Sequence, residues 1–369
     1  MKRLTLSSIL PQSSCAALAL FFLSFAPMRA QVTLLKQQNL AHWGIAPANY
    51  SGITRVDSLT YAVIDDKSPL DGFYLFTISQ NPTSGKILSV SRSALHSAYP
   101  KSKEDSILRS RSDCEDVVFV PHLGTFFIAQ EEMAQVKEYK RDGAPTGRSL
   151  QIPEFFNRSH QRNNGGFEAL AYDHHARAFW LTTENALLSD TLFHDNQNNP
   201  VHMLRLMRFG ENLQPNGQWI YLMEPSARPA NSLYYAYGVS AMTALGNGKL
   251  LVMERELAIP KSYVGGWCKI RVFMVTPTKE MRLDPHSAGD QPYSKWVLPK
   301  REIFQFATRI LPFASDYANY EGMCLGPTLS DGRPTLLLIN DSQAAAGNAL
   351  YHLKDYIKVV ILPKGFLDS

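Results

Sequence analysis

Gly166-Phe167-Glu168-Ala169-Leu170-Ala171-Tyr172, followed after a short turn by Ala178-Phe179-Trp180-Leu181 and then Glu184-Asn185, is the stretch that decides the fold. It reads as two short apolar strands joined by a turn. A Gly-Phe-Glu approach opens the first strand, and an acid and an amide close the second. The same template recurs four more times. One copy runs from Ser51-Gly52-Ile53 through Tyr61 to Ile64 and ends in Asp65-Asp66. Another runs from Asp113-Cys114-Glu115-Asp116 through Phe126 to Ala129 and ends in Gln130-Glu131-Glu132. A third runs from Tyr237-Gly238-Val239-Ser240 through Leu250 to Met253 and ends in Glu254-Arg255-Glu256. The last runs from Tyr320-Glu321-Gly322 through Leu336 to Ile339 and ends in Asn340-Asp341. With Gly52, Glu115, Glu168, Ser240 and Glu321 as anchors, the copies lie 63, 53, 72 and 81 residues apart.

Short strands repeated in units of this size describe the blades of a β-propeller. Third strand-like runs follow the template at Gly72 to Ile78, Val136 to Lys140, Met203 to Phe209, Lys269 to Val275 and Leu350 to Leu353. No long helical period separates them. The expected fold class is therefore all-β, a single β-propeller over residues 31–369. Chain length divided by the commonest spacing gives six blades. The N-terminal Val32 to Leu35 and the C-terminal Ile357 to Leu362 are both apolar, and are expected to share one blade and close the ring, which removes open sheet edges.

Residues 1–30 read as a secretory signal peptide. Lys2 and Arg3 form a positive start, Ala16 to Phe25 is an apolar run, and Ala26 to Ala30 supplies small residues, so a cut is expected after Ala30. The expected location is secreted or periplasmic. The full chain carries a net charge of +4. Without Lys2, Arg3 and Arg29, 34 basic residues face 33 acidic ones, so nothing marks a nucleic-acid partner. No later segment is apolar for long enough to span a membrane. Beyond the leader only Cys114, Cys268 and Cys324 remain. An odd, widely spaced set excludes a disulfide framework and a zinc site, and suits buried apolar thiols.

At these residues the chain resembles the phytase-like family, described by the esterase-like activity of phytase. The matching stretches are Asn163-Asn164-Gly165-Gly166-Phe167-Glu168-Ala169-Leu170-Ala171, Tyr237-Gly238-Val239-Ser240-Ala241-Met242 leading to Leu251-Val252-Met253-Glu254-Arg255, and Asn319-Tyr320-Glu321-Gly322-Met323 leading to Asp341. Ala169 and Asp116 stand where the family pattern has Gly after the Glu. The resemblance implies a secreted propeller in which recurring Glu and Asp residues carry hydrolysis.

The innermost strand of each blade lines a propeller's central channel, so equivalent residues converge although they lie far apart in sequence. Glu115, Glu168 and Glu321 hold one template slot, and Asp65, Asp66, Glu131, Glu184, Glu254 and Asp341 close second strands. Carboxylates gathered in this way repel unless protonated, paired or bridged by a cation. A hard cation with oxygen ligands suits them, and Ca2+ is expected, held by Glu115, Glu168, Glu321, Asp65 and Asp341. Glu168, Glu184 and Glu321 are the candidate catalytic residues. Arg55 and Arg255 are the candidate phosphate-binding residues. The expected function is hydrolysis of a phosphate or carboxylic ester, with a small-molecule or phosphorylated substrate. Two alternatives stand beside it: a lactonase-like enzyme, and a non-enzymatic binding propeller that uses Tyr234, Tyr235, Tyr237 and Trp267 as its contact face. Gly238-Val239-Ser240-Ala241-Met242 lacks the last Gly of a nucleophile elbow, so Ser240 reads as a channel-strand residue.

Overall fold

In the computed structural model the five copies of the template build five antiparallel sheets. The structure describes residues 31–68, 70–97, 113–190, 193–194, 198–226, 228–287, 296–312, 315–347 and 352–368. The expected signal peptide lies outside them.

Blade 1 consists of Tyr50–Arg55, Thr60–Asp65, Phe73–Gln80 and Ile87–His96, and blade 2 of Cys114–Val120, Thr125–Gln130, Gln135–Tyr139 and Pro145–Ser149. Blade 3 consists of Phe167–Asp173, Ala178–Thr183, Met203–Phe209 and Pro215–Leu222. Blade 4 consists of Ser232–Ala244, Leu250–Pro260, Trp267–Val275 and Lys300–Arg309. Blade 5 consists of Asn319–Leu325, Thr335–Asp341 and Tyr356–Ile361, with Thr33–Leu34 paired to Tyr356–Ile361 at its outer edge. The N-terminal segment and the C-terminal run thus share one sheet. The Ile357 run is the third strand of that sheet. Of the run expected there, Leu350 and Tyr351 lie outside the described residues, and His352 and Leu353 are outside the strands.

The fold class holds, but five blades replace the expected six. Each copy of the template is one blade, and the long spacings lengthen existing blades instead of adding one. The inner strand of blade 4 alone takes 13 residues, and the segment between its third and fourth strands runs from 276 to 299. Among the described residues the only helices are short 3-10 turns, and none is long and apolar enough to cross a membrane.

The strands read as continuous apolar runs because each sheet is covered on both faces. Leu336, Leu337, Leu338 and Ile339 are all fully buried, two against blade 4 and two against blade 1. A side chain of this kind contributes roughly 1.5–3 kcal/mol when buried. Phe127 of blade 2 packs on Phe179 of blade 3 with ring centroids 4.5 Å apart. The three cysteines are buried thiols outside any disulfide among the described residues, and burial pushes the Cys268 thiol up to about 12. They are packing residues.

Candidate functional site

Every inner strand carries a β-bulge at the same level. Glu115 is the extra residue between the pairs Cys114↔Gln130 and Asp116↔Ala129. Glu168 stands between Phe167↔Thr183 and Ala169↔Thr182. Ser240 lies between Val239↔Glu254 and Ala241↔Met253, and Glu321 between Tyr320↔Asn340 and Gly322↔Ile339. In blade 1 the bulge falls between Tyr50↔Asp65 and Ile53↔Val63, which makes Ser51, and not Gly52, the residue equivalent to the glutamates. A bulge leaves one residue unpaired and re-aims its side chain. This is the physical content of the repeated slot. The two serines donate to the neighbouring inner strand, Ser51 to Cys114 O and Ser240 to Tyr320 O, both at 3.3 Å. The three glutamates are close enough to repel one another: Glu115 feels Glu168 and Glu321, and Glu168 feels Glu321.

Arg255 anchors one side of this mouth. It lies on the second strand of blade 4 opposite Gly238, and is buried. Its two terminal nitrogens donate to Glu184 and to Glu321, and one also reaches Asn319 Oδ1 at 3.2 Å. Asn319 donates to Glu321 at 2.7 Å and Asn185 to Glu184 at 3.1 Å. Gly238 makes the pairing possible, because a Cβ there would sit 2.2 Å from Glu184 Cγ. Arg255 Nε has no partner among the described residues. Burial works against the guanidinium charge, but Glu184, Glu321 and Glu168 outweigh it and hold Arg255 protonated. Burial also raises Glu184 and Glu321, with Arg255 pulling both back.

On the other side, ligand atoms of Asp66, Asp113 and Glu115 all lie within 4.8 Å of one another. Lys67 Nζ reaches Asp66 at 3.0 Å and Asp113 at 2.6 Å. Asp113 is held at φ +48°, a left-handed conformation that costs a non-glycine residue energy. Burial pushes Asp66 up to about 7, helped by Glu321 and opposed by Lys67. Burial and the flanking acids hold Glu115 and Glu168 well above the usual carboxylate range. Neither receives a hydrogen bond from the described residues. The donor set is all oxygen and strongly anionic, which fits a hard divalent cation such as Ca2+, and Lys67 is the group such an ion must compete with.

The structure brings together Glu115, Glu168, Glu184, Glu321 and Arg255. Asp341 lines a cavity with Arg255 and Glu321, accepts the Gln343 amide at 2.5 Å, and is pushed up to about 9 by burial and Glu321. Asp65 stands aside, paired with Tyr50 in the ladder and accepting the Asn49 amide at 3.3 Å, while the next residue, Asp66, joins Glu115. Arg55 lies at the opposite end of the inner strands. It donates to Asp57 O at 2.8 Å and Gly326 O at 3.0 Å, and it lines a separate cavity of about 500 Å³ with Val118, Met242 and Met323. Asp113 and Asn319 carry no role in the sequence reading. Both stand two residues before the slot; Asn319 opens its strand, where a period of two sets it on the face of Glu321, whereas Asp113 precedes its strand in a left-handed conformation. Over Arg255, Asn319, Glu321 and Asp341 lies a cavity of about 570 Å³.

A family model for phytase-like proteins, described as the esterase-like activity of phytase, matches residues 47–343. The chain belongs to the phytase-like family. No curated protein matches it. Among solved structures, this phytase-like chain is similar to a member of the DUF4221 family from Bacteroides vulgatus, with 10% identity, a TM-score of 0.36, and coverage of 90% of this chain and 99% of that one. The Swd1 propeller domain of Myceliophteria thermophila gives 7% identity, a TM-score of 0.34, and coverage of 89% and 99%. A periplasmic gluconolactonase of Pseudomonas aeruginosa gives 12% identity, a TM-score of 0.30, and coverage of 85% and 88%.

The phytase-like mouth therefore combines two chemistries. A buried guanidinium lines the cavity and keeps N–H groups, Nε among them, that no described residue accepts, which suits an oxyanion or a phosphoryl oxygen. Beside it stands a carboxylate without a donor, whose basicity is raised by burial.

Proposed function

We propose that this phytase-like propeller hydrolyses a phosphate or carboxylic ester at the acidic mouth of its channel. One observation carries the reading: Arg255 is clamped between Glu184 and Glu321 with Nε left over, next to Glu168, whose carboxylate has no donor from the described residues. In this reading Arg255 orients the phosphoryl or carbonyl oxygen, and Glu184 and Glu321 fix the guanidinium. Glu168 takes a proton from water as the water oxygen bonds to carbon or phosphorus. The ester bond to the leaving oxygen then breaks, and Glu168 returns the proton to it, releasing alcohol and acid. Asp66, Asp113 and Glu115 would hold Ca2+, which when bound supplies positive charge for the developing oxyanion. Residues 1–30 are read as an export leader, on their sequence pattern. The pairing of Thr33–Leu34 with Tyr356–Ile361 is read as the closure of the ring.

The test is turnover of p-nitrophenyl phosphate, p-nitrophenyl acetate and a six-membered lactone by residues 31–369 and by Glu168→Gln, with added CaCl2. A loss of about 10²–10⁴-fold on the active substrate is expected for a proton-transfer residue. Undiminished turnover by Glu168→Gln on every active substrate would sink the assignment. The absence of turnover altogether would leave a binding propeller.

A further inference from the structure

Blade 4 is built differently from the rest at the mouth. Its inner strand Ser232–Ala244 has 13 residues, against 6 or 7 in the other four. In those four the slot bulge comes within the first three residues, whereas in blade 4 it comes at Ser240, after a separate register shift between Ser232 and Tyr234. The extra length lies before the slot, and pairs from Ser232↔Pro260 to Gly238↔Arg255 carry the hairpin above the channel mouth. The arm's Tyr234, Tyr235, Leu257 and Ile259, with Tyr263 from the turn after it and Ile310 from beyond the fourth strand, form an apolar wall of the cavity of about 570 Å³. These side chains are aromatic or aliphatic, and the floor below them is Arg255, Asn319, Glu321 and Asp341. Tyr234 is 56% exposed, and Leu233 before it and Leu311, next to Ile310 in the chain, are exposed as well. Tyr263 is held at φ +60° in the turn that follows the hairpin's second strand. A bulky residue seldom adopts that conformation, and such outliers gather at ligand clamps.

A cavity with a charged floor on one side and an apolar wall on the other selects a molecule divided in the same way. The floor also limits charge. Arg255 is the cation there, already shared by Glu184 and Glu321, and the acids around it repel a polyanion. Resting on the reading of this mouth as an ester-hydrolysing site, we propose that its substrate is an amphiphile, with one ester group on Arg255 and an aromatic or medium-chain aliphatic group along the blade 4 arm, and not a polyphosphorylated polyol.

The experiment compares kcat/KM for p-nitrophenyl esters from acetate to octanoate, with phytate as the polyanionic competitor. Each methylene laid on the wall is expected to raise kcat/KM about threefold until the wall is covered. The octanoate-to-acetate ratio should fall at least tenfold in Tyr234→Ser and in Tyr263→Gly. Tyr234 is exposed and glycine suits the φ of Tyr263, so both variants should fold. A flat chain-length series, or phytate hydrolysed in preference to every ester, overturns the proposal. If no ester is turned over, calorimetric binding of alkylphosphonates to the same protein separates the two readings. Affinity that rises with chain length and drops in Tyr234→Ser upholds the amphiphile site while the hydrolase reading falls. Affinity indifferent to chain length overturns the amphiphile site as well.

Discussion

The Asp116 carboxylate of blade 2 accepts the backbone amide of Leu170 in blade 3 at 2.8 Å. The two strands are neighbours round the channel but belong to different sheets, so no ladder bond joins them. Side chains do that work at several points. Thr243 donates to Met323 O at 2.8 Å, and Ser51 and Ser240 make the equivalent bond from their bulges. Where blades 1 and 2 meet, the approach is close enough that a Cβ on Gly52 would lie 2.7 Å from Asp116 Cα. The bulges that aim the site thus also stitch the inner strands together.

Asp116→Asn tests that stitch. The other Asp116 oxygen accepts the Val117 amide at 2.8 Å, so both oxygens face N–H donors. An amide of the same shape must turn one N–H against another in a buried position. The expected cost is about 1–3 kcal/mol, seen as a lower urea midpoint with an unchanged slope. An unchanged midpoint would show that the bond contributes nothing.

Arg255→Met leaves Glu184 and Glu321 buried without their cation. Breaking a buried pair from one side costs about 3–5 kcal/mol. The cost should be largest near pH 8 and smaller near pH 5, because carboxyls that have lost the pulling charge can protonate instead. Thermal unfolding of both proteins at the two pH values checks this. An equal loss at both would place the effect in packing, not in charge.

How far the sequence reveals this molecule can be judged residue by residue. The strands are legible because apolar runs and turn residues are local signals, and the slot glutamates because they recur. The bulge is not legible, since it is a matter of hydrogen-bond register between strands. That is why the anchor in blade 1 falls on Gly52 when the structural equivalent is Ser51. The choice between Asp65 and Asp66 turns on where the strand ends: Asp65 closes the ladder and Asp66 enters the turn. Arg55 shares a strand with the mouth but lies beyond the bulge, at the far end of the channel. Arg255 stands out between two acids, yet its partners are 66 and 71 residues away and meet it only because the sheets circle one axis. The blade count fails because length alone does not distinguish a sixth blade from the long hairpin of blade 4.

Stability should fall as pH rises across the neutral range when divalent ions are chelated. Asp66, pushed up to about 7 by burial, and Asp341, pushed up to about 9, both bind a proton more tightly folded than unfolded. The stability each contributes is complete below the unfolded value near 4 and is lost as pH climbs through the folded value. Melting temperatures measured in EDTA should therefore decline from pH 5 to pH 9. Asp341→Asn should flatten the part of the decline above pH 7. A melting temperature that climbs toward pH 9 in EDTA would contradict the burial of these acids.

Lys67 gives the sharpest test of the cation. Its ammonium bridges Asp66 and Asp113, so it occupies electrostatically the place that a divalent ion would take beside Glu115. Removing one positive charge a few ångströms from a bound dication favours that ion by more than 1 kcal/mol even with strong screening. Lys67→Met should therefore bind Ca2+ about tenfold more tightly than the parent protein by calorimetry, while Glu115→Gln should bind it more weakly. The lysine is mostly exposed, so the substitution should not disturb folding. If Lys67→Met gained no affinity and Glu115→Gln lost none, the acids would be held by Lys67 and Arg255 alone, with no metal at this mouth.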